Sequence, residues 1–291
     1  MAGIIIQAAT GLLKAMLLFL LASGLSLIFG VSRVLNIAHG AFYALGAYLL
    51  LSLSGGRQLS TAAFFGSALL SSILVGLFGG LFEFVVLRRV YRAGMLFVAL
   101  VTFGLLEIIE EVIKIVWSAQ LATVARPAGL QGALAFGSGS LPSYNLVLLA
   151  MGAGIALLLW YVVEKTRFGL MVRAAASDRE MLSALGHDVP SIYSFTFALG
   201  AMLAALAGAM AAPLVALQPS MGSLIVIQTF AVVVIGGLGS LPGSLIGALV
   251  VGEIEAFGIL VAPQSAPVLL YLVMAVVLIV RPSGLLGVPD R

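Results

Sequence analysis

The chain has 291 residues, 62% of them hydrophobic and 9% charged, with a formal net charge of +3. A surface that meets water takes about 25% charged residues, so this composition, with a mean hydropathy of +1.23, excludes a soluble globular protein. The slight basic excess is of the size that sets membrane topology and is not a nucleic-acid signal, and the absence of cysteine excludes disulfide and thiolate chemistry.

The first apolar run follows "MAGIIIQAATGLLKAML", which lacks the basic start of a cleaved signal peptide. It reads as a retained span. Stretches free of Asp, Glu, Lys and Arg then recur along the chain: Ala15–Ser32, Val34–Gly56, Gln58–Phe82, Pro127–Val163, Val189–Gly252 and Ala256–Val280. A helix needs about 20 apolar residues to cross a bilayer, and these runs do not alternate as the strands of a barrel would. The fold class is therefore all-α, a polytopic helical membrane protein forming one transmembrane domain over residues 1–291. Spans are expected near 12–31, 34–54, 61–87, 94–117, 144–163, 192–216, 223–260 and 266–280.

The second span carries Asn36, His39 and Tyr43 at i, i+3 and i+7, on one helical stripe. An unsatisfied polar group facing lipid costs several kcal/mol. The stripe therefore lines a translocation route, or caps and crosslinks neighbouring helices. Arg88, Arg89 and Arg92 follow the third span, with Glu83 near enough to pair with Arg88 or Arg89. The fourth span ends in Glu107, Glu110, Glu111 and Lys114, with Glu110 and Lys114 in the favourable i, i+4 order, and then Trp117 as an interfacial anchor. This reads as a solvated helix end. The Gly/Ser/Pro-rich segment 118–143 is an outer, periplasmic loop that serves as a lid, a docking loop or a linker.

The basic segment 168–190 holds "SDREMLSALGHDVP". Ser177 is the candidate N-cap, Asp178 and Glu180 fall in the first turn, Gly186 supplies the left-handed end, and Pro190 blocks continuation. Met181, Leu182 and Leu185 form a short apolar face. Such a helix lies on the membrane surface or presents a knob to a soluble partner. The run 223–260 is too long for one crossing and is interrupted by "GGLGSLPGS" at 236–244. Gly237, Gly239 and Pro242 are costly in a helix, so the break is expected at membrane depth, packed against the translocation path, with a plain inner turn as the other reading. Arg281 belongs on the same side as the other basic segments, the cytoplasm by the positive-inside rule. That parity puts the N-terminus outside and favours nine crossings over eight.

No enzyme constellation is present. His39 and His187 are the two histidines, no Cys/His metal spacing exists, and no GxxxxGK[ST] occurs, so no catalytic residue, metal or cofactor is assigned. A rhomboid-type site would need an intramembrane histidine beside "GSLPGS", where none lies.

The stretches "GLSLIFGVSRVLNIAHGAFYALGAYL", "TRFGLMVRAAASDREMLSALGHDV", "AVVVIGGLGSLPGSLIGALVVGEIEAFG" and "RPSGLLG" resemble, collinearly over nearly the whole chain, the permeases of branched-chain amino acid ABC importers. The length is similar to that of the shorter, H-type subunit. The resemblance implies an ABC importer permease fold in the bacterial inner membrane, with a second, M-type permease, two cytoplasmic ATP-binding subunits and a periplasmic solute-binding protein as partners. The substrate implied is a branched-chain amino acid, although related members carry urea, amides or sugars. It further implies that 168–190 is the coupling loop toward the ATPases, though no Glu stands directly before the alanines of "AAASDREMLSALG" as the general pattern would have it. An ion-coupled secondary transporter would instead need internal repeats and midplane carboxylates; no repeat is evident.

Overall fold

Helix α1 (Ala2–Ser32) is the axis around which the chain is wound. Ala15, Leu18, Leu21, Ala22 and Leu25 are almost fully covered on it. Its hydroxyls are satisfied internally or by a neighbour: Ser23 donates to the Leu20 carbonyl (2.8 Å) and Ser26 Oγ meets Ser244 Oγ (2.5 Å). The computed structural model describes residues 2–136, 139–261, 263–264 and 266–287.

After Arg33, which takes a positive φ of 54°, residues 33–38 are not helical. They carry the chain back alongside α1, so that α2 (His39–Ser54) starts at the level of Leu21. Leu21 precedes the end of α1 by eleven residues, about 16 Å of helix. A helix of 16 residues is about 24 Å long, short of the ~30 Å hydrocarbon core. Irregular backbone at that depth survives when it is enclosed by protein, and Asn36 and Ala38 are buried.

Helix α3 (Thr61–Phe82), capped by the Ser60 hydroxyl, runs on through a π-helical turn (Glu83–Leu87), α4 (Arg88–Val90) and a 3-10 turn (Tyr91–Ala93). Helix α5 (Met95–Trp117) returns. An outer loop bears the short antiparallel pair β1 (Ala133–Phe136) and β2 (Gly139–Pro142), with Leu134 opposite Leu141. Then come α6 (Ser143–Lys165), α7 (Arg167–Ser177), α8 (Arg179–Ala184), α9 (Val189–Ala211), α10 (Met221–Gly236), α11 (Leu241–Val261) and α12 (Ala266–Val280).

Two ends are defined by contacts between loops. At one, Ala122 pairs with Leu217 and Ser60 with Ala128. At the other, Val31, Val172, Ala175, Leu182, Val189 and Ile192 share an apolar cluster, and Leu285 N–H donates to the Ile235 carbonyl (2.9 Å). Among the described residues, α1, α2, α3, α5, α6, α9, α10, α11 and α12 alternate in direction between these ends, α2 and α10 starting inside the bundle. That is nine passages, with the reversal at 237–240 that the parity of the basic segments required. The arginine-rich ends of α3 and α6 and Arg281 fall on one side, the cytoplasmic side by the positive-inside rule.

Small residues set how close the helices come, as expected where no hydrophobic force drives helix association in lipid. A methyl group on Gly24 would stand 2.5 Å from the Gly200 carbonyl oxygen, tying α1 to α9. One on Gly208 would collide with the carbonyl of Tyr43, and one on Gly40 with that of Gly222. The last contact brings the first turns of α2 and α10, both 16 residues long, against one another inside the bundle.

Candidate functional site

Asn36, His39 and Tyr43 do not form one helical stripe. Asn36 lies in the irregular segment before α2, because His39 begins the helix by donating its backbone N–H to the Asn36 carbonyl (3.3 Å). His39 Nε2 bonds the Leu21 carbonyl (2.8 Å) and the Ile37 N–H donates to Thr102 Oγ1 of α5 (3.2 Å). Asn36 is 1% exposed and His39 0%. All three residues face protein, and none lines the cavity described below.

The acidic group on α5 is divided between two faces. Leu106, Ile109, Glu110 and Ile113 form the buried face. The Glu110 carboxylate accepts from the Ser223 N–H (3.1 Å) and so caps the first turn of α10. Lys114 pairs with Glu111 (2.5 Å), not with Glu110 as the i, i+4 spacing predicts. The inward i, i+3, i+4, i+7 pattern of 106, 109, 110 and 113 was the available signal for Glu110. Phe103, Glu107, Glu111 and Lys114 occupy the exposed face. Glu107 is exposed but stands well before the end of α5. It lies ten residues before Trp117, about 15 Å along the helix, and Trp117 marks the end by bonding Ser52 Oγ (2.6 Å). Glu253 and Glu255 lie within α11, and Glu255 is paired with Lys14 of α1.

The 236–244 break is a turn between α10 and α11, the plain turn that was the other reading of this segment. Gly237 (φ 110°) and Gly239 (φ 79°) reverse the chain between α10 and α11. A side chain on Gly239 would press on Gly30 Cα (3.1 Å), near the end of α1, and one on Gly237 would collide with Gly287. Pro242 sits in the first turn of α11, where its missing N–H leaves no bond unmade. The turn borders a cavity of about 990 Å³ between α1, α6 and α7, whose polar lining includes Ser26, Arg33, Glu164, Arg173 and Ser240.

The basic segment after α6 contains two helices, α7 and α8. Ser177 ends α7 and is not the cap; Asp178 is, its Oδ1 accepting from the Met181 N–H (2.9 Å). Glu180 is in the first turn of α8, and Gly186 takes the left-handed φ of 86°. Met181, Leu182 and Leu185 are not one face. Leu182 is 6% exposed in the cluster with Val31 and Val172, whereas Met181 (58%) and Leu185 (70%) project into solvent. Asp188 caps α9 through Ser191, whose hydroxyl and N–H hold its carboxyl below the ordinary carboxylate range, so it is charged at neutral pH.

These burials make a direct prediction. Because the chain has no cysteine, single cysteines at 36, 39, 107 and 111 can be probed with a water-soluble maleimide in native membranes. Positions 107 and 111 label and 36 and 39 do not. Labelling at 36 or 39 as fast as at 111 would mean that the segment before α2 opens to water.

Comparison with known proteins places this architecture. The model of the branched-chain amino acid transport system / permease component family matches residues 7–281. The chain is 30% identical to the BraD permease protein of a high-affinity branched-chain amino acid transport system in Pseudomonas aeruginosa, over 98% of this chain and 96% of that one. It is 27% identical to the LivH permease protein of the corresponding system in Escherichia coli K12, over 93% and 91% of the two chains. The fructose import permease protein FrcC of Rhizobium meliloti is 32% identical, but over 38% of this chain and 32% of its own. No solved structure matches. With a family model spanning nearly the whole chain and relatives alike from end to end, this polytopic helical protein belongs to the branched-chain amino acid transport permeases.

Proposed function

We propose that the chain is one of two membrane subunits of an ABC importer that carries branched-chain amino acids across a bacterial inner membrane. The path follows the exposed face of α5, where this subunit meets the second permease. One observation carries the placement of that path: Phe103, Glu107, Glu111 and Lys114 form a stripe on the surface of a membrane helix. A charged side chain at the centre of a lipid-facing helix costs about 3 kcal/mol or more. This stripe therefore meets water or protein. The turn at Gly237 and Gly239 closes the cytoplasmic end, and His39 and the Ile37 N–H tie α2 to α1 and α5 behind the path, with Asn36 and Tyr43 buried beside them.

ATP hydrolysis belongs to two cytoplasmic subunits seated on α7 and α8, since the chain has no phosphate-binding loop of its own. A solute-binding protein delivers the substrate at the outer end, where the loop 118–142 lies. The substrate class rests on the end-to-end likeness to BraD and LivH, in contrast to the partial likeness to a sugar permease.

The test is uptake of labelled leucine into proteoliposomes holding the full transporter and its binding protein. Uptake requires ATP and is competed by isoleucine and valine but not by fructose or urea. Glu107→Gln lowers uptake about tenfold with the complex still assembled. Uptake that persists without ATP, or is competed by fructose, would overturn this reading.

A further inference from the structure

Glu83 is a carboxylate with no exposure at all, at the cytoplasmic end of a membrane helix. A buried charge is tolerated when it is paired and hydrogen-bonded, yet a well-packed apolar replacement is often as stable. Stability alone therefore does not account for it. Its position follows from the packing of α3 on α9. A methyl group on Gly79 would stand 2.5 Å from Ala201 Cβ and one on Gly80 3.0 Å from Ala198 Cβ. The next inward position on that face is Glu83. There the helix changes to its π-helical turn, which buries Leu87 and swings Arg88 back toward α9. Such bulges recur at functional positions.

The side chains form a relay across the two helices. Arg88 Nη2 donates to Ser194 Oγ (2.9 Å) and to the Pro190 carbonyl (3.2 Å), and lies 3.9 Å from Glu83 Oε2. Ser194 in turn donates its hydroxyl to Glu83 Oε2. The guanidinium also rests on the Phe84 ring (4.6 Å), and the Tyr91 and Tyr193 rings meet edge to face (5.9 Å). Pro190 and Ser194 belong to the start of α9, four residues beyond α8. Leu182 of α8 shares its apolar cluster with Val189 and Ile192 of α9. Thus α8, the first turns of α9 and the inner end of α3 are bonded as one body.

From this we infer that Glu83, Arg88 and Ser194 form a clamp that makes α3 move with the coupling helices. They are positioning residues for transport, and the inference rests on the proposed docking of ATP-binding subunits at α7 and α8. An apolar seam would let α3 slide on α9 when α8 is displaced. A charged relay with directional bonds fixes the register, so displacement at α8 reaches the membrane helices undiminished.

Leucine uptake and ATP hydrolysis are measured together in proteoliposomes of the whole transporter. Glu83→Ala and Ser194→Ala, the latter a loss of one oxygen that leaves the packing in place, still assemble and hydrolyse ATP. The leucine imported per ATP falls about tenfold, and Glu83→Gln, which keeps an acceptor for Ser194, restores most of it. The inference is overturned if Ser194→Ala keeps the wild-type ratio, or if uptake and hydrolysis fall in parallel, as a merely structural role would give. A wild-type transporter whose ATP hydrolysis ignores loaded binding protein would instead sink the functional reading, leaving the clamp a packing feature.

Discussion

Changing Met181 and Leu185 together to Asp strips the ATP-binding subunits from the purified complex, while the permease still inserts and survives extraction. Both side chains stand out from α8 with more than half of their surface in water. Fully covering an apolar side chain of this size is worth about 1.5–3 kcal/mol. Losing two such contacts weakens the association by roughly two to four powers of ten, since each 1.4 kcal/mol is tenfold. Burying two carboxylates adds to the loss. Leu182→Asp behaves differently. It places a charge in the cluster of Val31, Val172, Val189 and Ile192, so the permease itself accumulates poorly. Undiminished recovery of the ATP-binding subunits with the double variant would show that they dock elsewhere.

Gly208→Ala lowers the thermal stability of the folded permease, and Gly154→Ala leaves it unchanged or slightly raised. The two glycines are alike in sequence, each inside a long apolar helix. They differ in what lies above them. A methyl group on Gly208 collides with the backbone carbonyl of Tyr43, which cannot retreat without moving α2 away from α9. Overpacking of this kind costs about 1–3 kcal/mol, and occasionally more. Nothing lies within 4 Å of the same methyl at Gly154, and there the helix propensity of Ala favours it by about 1 kcal/mol over Gly. Thermal aggregation of the detergent-solubilised protein separates the two. Equal midpoints would mean that α2 and α9 are not held at the distance described.

The helical membrane class and the approximate number of spans were legible because both follow from local composition. The start of α2 was not. "RVLNIAHG" has no proline, and its apolar residues continue the pattern of a helix. What ends the helix there is distant in sequence: the Leu21 carbonyl for His39 and the Thr102 hydroxyl for Ile37. Glu110 failed for the same reason, since the free N–H at the start of α10 claimed a carboxylate that i, i+4 spacing gave to Lys114. In α8 the error was rotational. A helix of six residues has too few turns for periodicity to fix which leucine points inward. Glu83 with Arg88 was readable as a pair, but its third member, Ser194, lies more than a hundred residues away.

The meeting of α2 and α10 has an electrical consequence. Each short helix ends in the equivalent of about half a positive charge, and the two ends abut at Gly40 and Gly222 well inside the bundle. Glu110 faces the α10 end, whereas the residue before α2 is the uncharged Ala38. The full negative charge of that one carboxylate therefore matches the two half-charges together, well inside the bundle. Neither short helix is electrically self-sufficient: through its contact with α10, α2 shares the carboxylate that α5 contributes to that helix.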